Sequence, residues 1–207
     1  MAKKTVIHFV RHGLVQNPKN TYYGRLSGFP LNDRGQLQAG ATRDYFSEKL
    51  ISAFYSSPQL RARETAQIIA DAHKNNPVIV SDLLNATHSP FDGYPKSVIE
   101  ERNWDVFTGV GLNYEQPQDI LARGRCFIFE AYASHFEEEI VAVTHGDLIA
   151  FLILWAKGIP CTSQNGQLLY EDYLGYGCVN TFTFEFEGEW KLLGIANINP
   201  LLKGKFE

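Results

Sequence analysis

Two histidines, each followed by a glycine at the end of an apolar run, are the side chains in this sequence best suited to chemistry. His12 follows Arg11 after the run 5–10, and His145 ends the run 140–144. Short apolar and β-branched runs of this kind are typical of strands covered on both faces. Because ligands of open α/β sheets bind beyond the carboxyl ends of the strands, we expect both imidazoles at one edge of a sheet.

Arginines accompany both imidazoles. Arg11 directly precedes His12, and Arg61 lies in a helix-compatible segment that follows the apolar run 53–57. Two guanidinium groups can hold a tetrahedral dianion through paired hydrogen bonds, and a helix beginning at Gly146 would add backbone donors and a positive dipole. These residues therefore indicate a site for a phosphoryl group.

A neutral imidazole in such a cluster can attack phosphorus in line. Its nitrogen lone pair needs no deprotonation near neutral pH, and the neighbouring cations offset the charge of the transition state. The second imidazole would then donate to that charge. Chemistry alone leaves open whether His12 or His145 is the nucleophile, although Gly13 would allow the backbone next to His12 to approach a ligand closely.

The elements that must position these residues alternate between strand and helix patterns. The strand candidates are 5–10, 53–57, 78–81 and 140–144, and the helix candidates are 33–50, 58–73, 118–136 and 147–155. Period-two alternation at 180–186, a turn at 187–189 and an apolar run to 198 predict a hairpin. This order predicts a three-layer α/β/α sandwich with a mainly parallel, mixed central sheet.

The chain length of 207 residues suits one domain, which we assign to residues 1–207. Residues 85–114 are rich in Pro, Gly and Asn and show little periodicity. A long irregular excursion inside a compact domain is usually functional, so we expect this segment to form a lid over the site.

Composition narrows the class of protein. Nineteen Lys and Arg residues against 23 Asp and Glu residues give a net charge of −4, so no basic excess indicates nucleic-acid binding. The longest apolar stretch, 148–156, is shorter than the roughly 20 residues of a membrane helix, and the N-terminal apolar run is too short for a signal peptide. Three cysteines without Cys-x-x-Cys spacing are typical of a reducing compartment. We therefore expect a cytoplasmic protein that binds neither nucleic acid nor membrane.

Three sequence blocks resemble those of the histidine phosphatase superfamily, also called phosphoglycerate mutase-like, in its phosphatase branch. The blocks are Arg11-His12-Gly13, the segment 56–66 and Thr144-His145-Gly146. This resemblance implies that His12 is the phosphorylated nucleophile and that His145 stabilises the transfer. It further implies that Arg11 and Arg61 bind the phosphoryl group, without a metal or another cofactor.

The same resemblance assigns residues to substrate binding. The segment 23–35 is similar to the family segment that shapes the substrate mouth, and Asn17 is similar to a phosphate-contacting Asn. The substrate-binding residues expected on this basis are Asn17, Gly24, Arg25, Asn85 and Gly146.

The sequence departs from the family pattern at the proton donor. Counting eight residues back from Gly93 reaches Asn85, where the resemblance implies a Glu. An amide can hydrogen-bond a leaving oxygen but cannot protonate it, so another group must act as the general acid. We assign this role to Asp92, narrowly ahead of His88 and Asp147.

These residues predict a metal-independent phosphomonoesterase that acts through a phosphohistidine on a small phosphorylated metabolite. Two alternatives stay open: a phosphoglycerate mutase, and a catalytically weak phosphate-binding or regulatory module, which the amide at Asn85 motivates. The expected partner is a small-molecule phosphoester, and the oligomeric state is left open between a monomer and a homodimer.

Overall fold

A mixed six-stranded sheet forms the centre of the protein. The computed structural model describes residues 4–73, 77–169, 174–186 and 190–203. Its strands are β1 (Lys4–Arg11), β2 (Ala53–Ser56), β3 (Val78–Val80), β4 (Glu139–Thr144), β5 (Val179–Phe186) and β6 (Trp190–Ile198). They lie in the order β3-β2-β4-β1-β5-β6.

The four strands from β3 to β1 are parallel, and β5 and β6 join them as an antiparallel hairpin. The hairpin predicted from the alternation at 180–186 is therefore confirmed, while its predicted turn at 187–189 lies outside the described residues. In the pairing of β1 with β4, Arg11 lies opposite Thr144. This register places the residues that follow the two strands, His12 and His145, side by side.

Helices cover both faces of the sheet. The helices are α1 (Asp33–Phe46), α2 (Leu60–Ala70), α3 (Lys96–Glu101), α4 (Pro117–Ser134), α5 (Gly146–Ala156), α6 (Ser163–Gln167) and α7 (Pro200–Lys203), with a 3₁₀ turn at Asp82–Leu84. Successive strand residues point to opposite faces, so Phe9 packs in the core with α4 and α5, whereas Val10 packs with α1 and α2. The predicted three-layer α/β/α sandwich is confirmed.

Sequence signals at the helix ends explain their observed bounds. Asn32 caps α1 by accepting a hydrogen bond from the Gly35 amide. At α4, the side chains of Gln116 and Asp119 form a capping box. Helix α1 ends at Phe46, short of the predicted residue 50, because Ser47 and Lys49 close the end with turn hydrogen bonds.

The apolar stretch at 148–156 forms most of α5, and its residues from Leu148 to Leu154 are buried. Among the described residues, no helix combines the length and apolar character that crossing a membrane requires. The segment 85–114 contains α3 and otherwise runs as turns and irregular backbone. Shortly after α3, Asn103 and Trp104 adopt positive φ angles of 51° and 60°. Bulky residues rarely adopt this conformation.

Candidate active site

A cavity of about 760 Å³ opens at the carboxyl ends of β1 and β4. Its inner end is lined by Arg11, His12, Arg61 and His145, which we call the histidine–arginine cluster. Its outer wall, contributed by the segment 85–114, contains Lys96, Glu100, Asn103 and Trp104. The volume lies within the range usual for small-molecule sites, roughly 300–1,000 Å³.

His12 is held in one tautomer by its own backbone neighbour. Its Nδ1 lies 2.8 Å from the carbonyl oxygen of Gly13, and because a carbonyl only accepts, Nδ1 carries the proton. The lone pair is then on Nε2, which accepts from Nε of Arg61 at 3.3 Å. Burial, together with the charges of Arg61 and Arg11, lowers the pKa of His12 well below 6.5. His12 is therefore neutral near pH 7, with a nucleophilic nitrogen beside a guanidinium.

His145 lies 5.1 Å from His12, measured between ring centroids. Its Nδ1 accepts from Nη2 of Arg61 at 3.3 Å, so Nε2 carries the proton and donates to Oγ of Ser57 at 2.7 Å. Burial and the charge of Arg61 lower the pKa of His145 well below 6.5. Both imidazoles are thus neutral around one buried cation.

Arg61 connects the two histidines to the backbone of the cavity wall. Its guanidinium is buried, donates to the carbonyl oxygen of Gly24 at 2.7 Å and stacks on the ring of Tyr23 at 4.6 Å. Burial lowers the pKa of Arg61 to about 10, which leaves it charged near pH 7. A fixed, charged guanidinium of this kind suits the binding of a phosphoryl group.

Arg11, the last residue of β1, is held by a different set of contacts. Its guanidinium lies 4.0 Å from the ring centroid of Tyr176 and donates to the carbonyl oxygen of Leu174. Burial would raise the pKa of Tyr176, but the charge of Arg11 and a hydrogen bond from Tyr23 outweigh it and lower that pKa. Stacked tyrosines thus hold the two arginines of the cluster, a contribution that sequence reasoning missed.

Two of the residues assigned to substrate binding lie at the cavity. Gly24 and Gly146 both line it, Gly146 as the first residue of α5. Gly13 also makes a close contact within the protein. A Cβ atom at position 13 would lie 2.5 Å from the carbonyl oxygen of Gly35, so this glycine lets β1 and α1 meet.

Three further residues assigned to substrate binding are not among the described residues that line the cavity. Nδ2 of Asn17 donates to the carbonyl oxygen of Thr21, and Oδ1 of Asn17 accepts from the Thr21 amide. Arg25 donates to the carbonyl oxygen of Ala86 and forms an ion pair with Glu115 at 2.9 Å. The side chain of Asn85 accepts from Gln59 and from the Ala86 amide. Their hydrogen bonds support loop structure.

Asp92, the predicted proton donor, is likewise not among the described residues that line the cavity. It packs against Gly24, where a Cβ atom would lie 1.7 Å from Oδ1 of Asp92, and its Oδ2 accepts from the Arg25 amide at 2.9 Å. Burial raises the pKa of Asp92. The carboxyl group of Asp92 therefore packs against a residue that lines the cavity, and its role as proton donor stays a prediction.

The cavity contains polar residues that sequence reasoning did not single out. Thr87 follows the expected acid position, and Tyr22 precedes the segment that shapes the mouth. Asp147, named as a second choice for the proton donor, lines the cavity two residues after His145. Within the described ranges, no group of three or more His, Cys, Asp or Glu side chains is arranged to hold a metal ion.

Comparisons with known proteins identify the family. A family model described as the histidine phosphatase superfamily (branch 1) matches residues 7–197. An uncharacterized protein of Mycobacterium tuberculosis is 33% identical over 166 residues, covering 76% of this chain and 81% of the relative. A putative phosphoserine phosphatase 2 of Hydrogenobacter thermophilus is 27% identical over 162 residues, covering 74% and 79%.

Solved structures show the same fold. Bacillus stearothermophilus YhfR has a TM-score of 0.74 at 20% identity, covering 91% of this chain and 95% of its own. Mycobacterial glucosyl-3-phosphoglycerate phosphatase has a TM-score of 0.73 at 23% identity, covering 93% and 98%. The chain belongs to the histidine phosphatase superfamily, branch 1, and is an enzyme of the phosphatase class.

Proposed function

We propose that the protein is a metal-independent phosphomonoesterase that works through a phosphohistidine at His12. The observation that carries this proposal is the tautomer of His12, whose Nδ1 donates to the Gly13 carbonyl and whose Nε2 lone pair faces Arg61. A neutral imidazole with a defined lone pair beside a guanidinium is an activated nucleophile that needs no base.

In the first step, Nε2 of His12 attacks phosphorus while the bond to the leaving oxygen breaks. Arg11 and Arg61 bind the oxygens of the transferred group, and Gly146 offers the N-terminus of α5. Neutral His145 already donates from Nε2, and this donor can stabilise the charge on the transferred phosphoryl group. In the second step, water attacks the phosphohistidine and releases inorganic phosphate.

The outer wall supports a small, polar substrate. Lys96 and Glu100 lie one turn apart on α3 and both line the cavity. The charge of Lys96 contributes to lowering the pKa of Tyr176, so the ammonium group lies near Arg11 and its stacked tyrosine. A substrate with a carboxylate beyond its phosphate would match this cation. Relatives named as phosphoserine phosphatases, 27% and 30% identical, favour the same class of substrate.

The test is a panel of sugar, nucleotide, hydroxy-acid and amino-acid phosphates, with p-nitrophenyl phosphate, assayed in EDTA. We expect phosphate release by the purified protein, and His12→Ala should lower it by at least on the order of 10⁴-fold. His73→Ala is the matched control, because His73 lies beyond the end of α2 and packs on Phe54 rather than in the cavity. Turnover that survives His12→Ala would contradict the proposal.

One observation favours a second candidate, a phosphate-binding module with weak chemistry. Asn85 stands where the resemblance implies a Glu, and its Oδ1 accepts hydrogen bonds from Gln59 and from the Ala86 amide. Rapid-quench labelling separates the two functions: a phosphatase labels His12 and then releases phosphate, whereas a binding module holds the phosphoester intact. A coupled assay for interconversion of 2- and 3-phosphoglycerate tests the mutase alternative.

A further inference from the structure

We propose that Asp147 is the proton donor to the leaving group, and that the carboxylate then accepts the proton of the attacking water. This proposal rests on the proposed phosphatase reaction. Of the described residues that line the cavity, Asp147 and Glu100 are the two with carboxyl groups. Glu100 is exposed on α3 in the outer wall, whereas Asp147 is half-buried beside the histidine–arginine cluster.

The backbone places Asp147 next to the reacting group. His145 is the N-cap of α5, Gly146 is its first residue and Asp147 its second, so the carboxyl group projects from the first turn at the sheet edge where the phosphoryl group binds. Asp147 lines the same cavity as His12 and His145, so its carboxyl group faces the space that a leaving group would occupy. Asp92, by contrast, packs against Gly24 and is not among the described residues that line the cavity.

A hydroxyl side chain orients the Asp147 carboxyl group. Oγ1 of Thr87 lies 2.6 Å from Oδ2 of Asp147, a short and strong hydrogen bond. Tyr22 lines the same part of the cavity, and its pKa is raised well above 10.0 by burial and next by the charge of Asp147. The tyrosine therefore keeps its proton beside this carboxylate. Thr87 acts as a positioning residue for the carboxyl group.

Asp147 accounts for both proton transfers of the reaction. In the first step the bond from Nε2 of His12 to phosphorus forms, the bond from phosphorus to the leaving oxygen breaks, and that oxygen takes the proton of Asp147. In the second step a water oxygen bonds to phosphorus, the bond to Nε2 breaks, and the water proton returns to the carboxylate. The products are the alcohol and inorganic phosphate.

The substrate itself supplies the proton for the first step. A phosphomonoester has its second pKa at about 6, so a part of the substrate near neutral pH carries one proton. When the phosphoryl group binds beside a carboxylate, repulsion between the like charges favours sharing that proton with the carboxyl group. The bound phosphomonoester is thus the source of the proton that Asp147 delivers to the leaving oxygen.

Dependence on the leaving group tests the proposal. The rate of leaving-group release is measured in single turnovers for a simple alkyl phosphate and for p-nitrophenyl phosphate, whose phenolate departs without a proton. In Asp147→Asn, release from the alkyl phosphate should fall on the order of 10²–10⁴-fold, while release of p-nitrophenol should fall less than about tenfold. The variant should also accumulate phosphohistidine, since its second step lacks the base.

Asp92→Asn is the rival variant and should slow both substrates by the same factor. Thr87→Val is the second probe if Asp147→Asn does not fold, and it should slow the alkyl phosphate selectively by about tenfold through loss of one hydrogen bond to a charged group. Equal losses for both substrates in Asp147→Asn, or a leaving-group-dependent loss in Asp92→Asn, would overturn the assignment. A wild-type protein that releases no phosphate from any substrate would instead overturn the phosphatase reaction on which it rests.

Discussion

The histidine–arginine cluster and the outer wall are two ends of one cavity, yet they are built in different ways. The cluster follows strands whose parallel register sets Arg11 against Thr144, so backbone hydrogen bonds fix where His12 and His145 lie. The outer wall comes from a short helix and from turns that include positive φ angles at Asn103 and Trp104. The sheet therefore fixes the end that would bind the phosphoryl group, whereas the end that would select the substrate depends on irregular backbone.

Among variants that compare the two regions, the largest expected effect comes from the cluster. Arg61→Ala should lower kcat/KM for every substrate on the order of 10²–10³-fold, because the guanidinium contacts both imidazoles and would bind the transferred group. Arg63→Ala on the same helix is the matched control, since its side chain is exposed. Steady-state kinetics over the substrate panel measure the effect. A loss confined to some substrates would show that Arg61 acts in recognition rather than in the common step.

A glycine at the junction of the two regions gives the next effect. Gly24→Ala should lower the free energy of unfolding by about 3 kcal/mol, because it adds a Cβ atom at a positive φ and against Asp92. Gly28→Ala should cost only about 1 kcal/mol, since its φ is also positive but nothing lies within 4 Å of the new atom. Urea denaturation compares them. Equal losses would mean that the contact with Asp92 relaxes freely.

The buried imidazoles predict how stability depends on pH. The folded protein holds His12 and His145 neutral with pKa values well below 6.5, so below that pH the unfolded chain binds more protons. Stability should therefore fall as the pH is lowered from 6.5 towards the folded-state pKa values, by up to about 1.4 kcal/mol per pH unit for each histidine. Denaturation of the wild type and of His12→Gln between pH 7 and about pH 5 measures the slope. An unchanged slope in the variant would contradict the prediction.

The smallest effect separates the outer wall from the cluster. Lys96→Ala should raise KM about tenfold for phosphoesters that carry a carboxylate, through loss of one charge-assisted contact, and leave kcat nearly unchanged. It should not affect p-nitrophenyl phosphate, which has no second anionic group. Lys19→Ala is the control, because Lys19 is exposed and lies outside the cavity lining. A similar rise in KM for both substrates would place Lys96 at the phosphoryl group.

Regular elements explain what could be predicted from the sequence. Apolar strand patterns end where His12 and His145 begin, and parallel strands bring such residues to one edge, so the cluster was expected from the sequence. The edge strand β3, with three residues, was predicted from the same kind of apolar run. The helix predicted at 118–136 begins at Pro117, one position earlier than predicted.

The irregular segments explain what could not be predicted. The sequence offered Asp92, His88 and Asp147 as acids near the expected position, and it could not show that the carboxyl group of the preferred Asp92 packs against Gly24. Likewise, Arg25 turns towards Glu115, which also pairs with Arg123 at 2.7 Å. The Arg25–Glu115 pair joins residues 90 positions apart in the chain, and no local pattern of residue types encodes it.

The hydrogen bond from Nδ1 of His12 to the Gly13 carbonyl has a chemical consequence for the proposed intermediate. With that nitrogen engaged, only the tele position of the ring is open to phosphorylation, so the covalent enzyme would carry the tele isomer of the phosphoramidate and not the pros isomer. Phosphorus NMR of the trapped enzyme distinguishes these two isomers. A single backbone carbonyl would thus decide the regiochemistry of the phosphoenzyme.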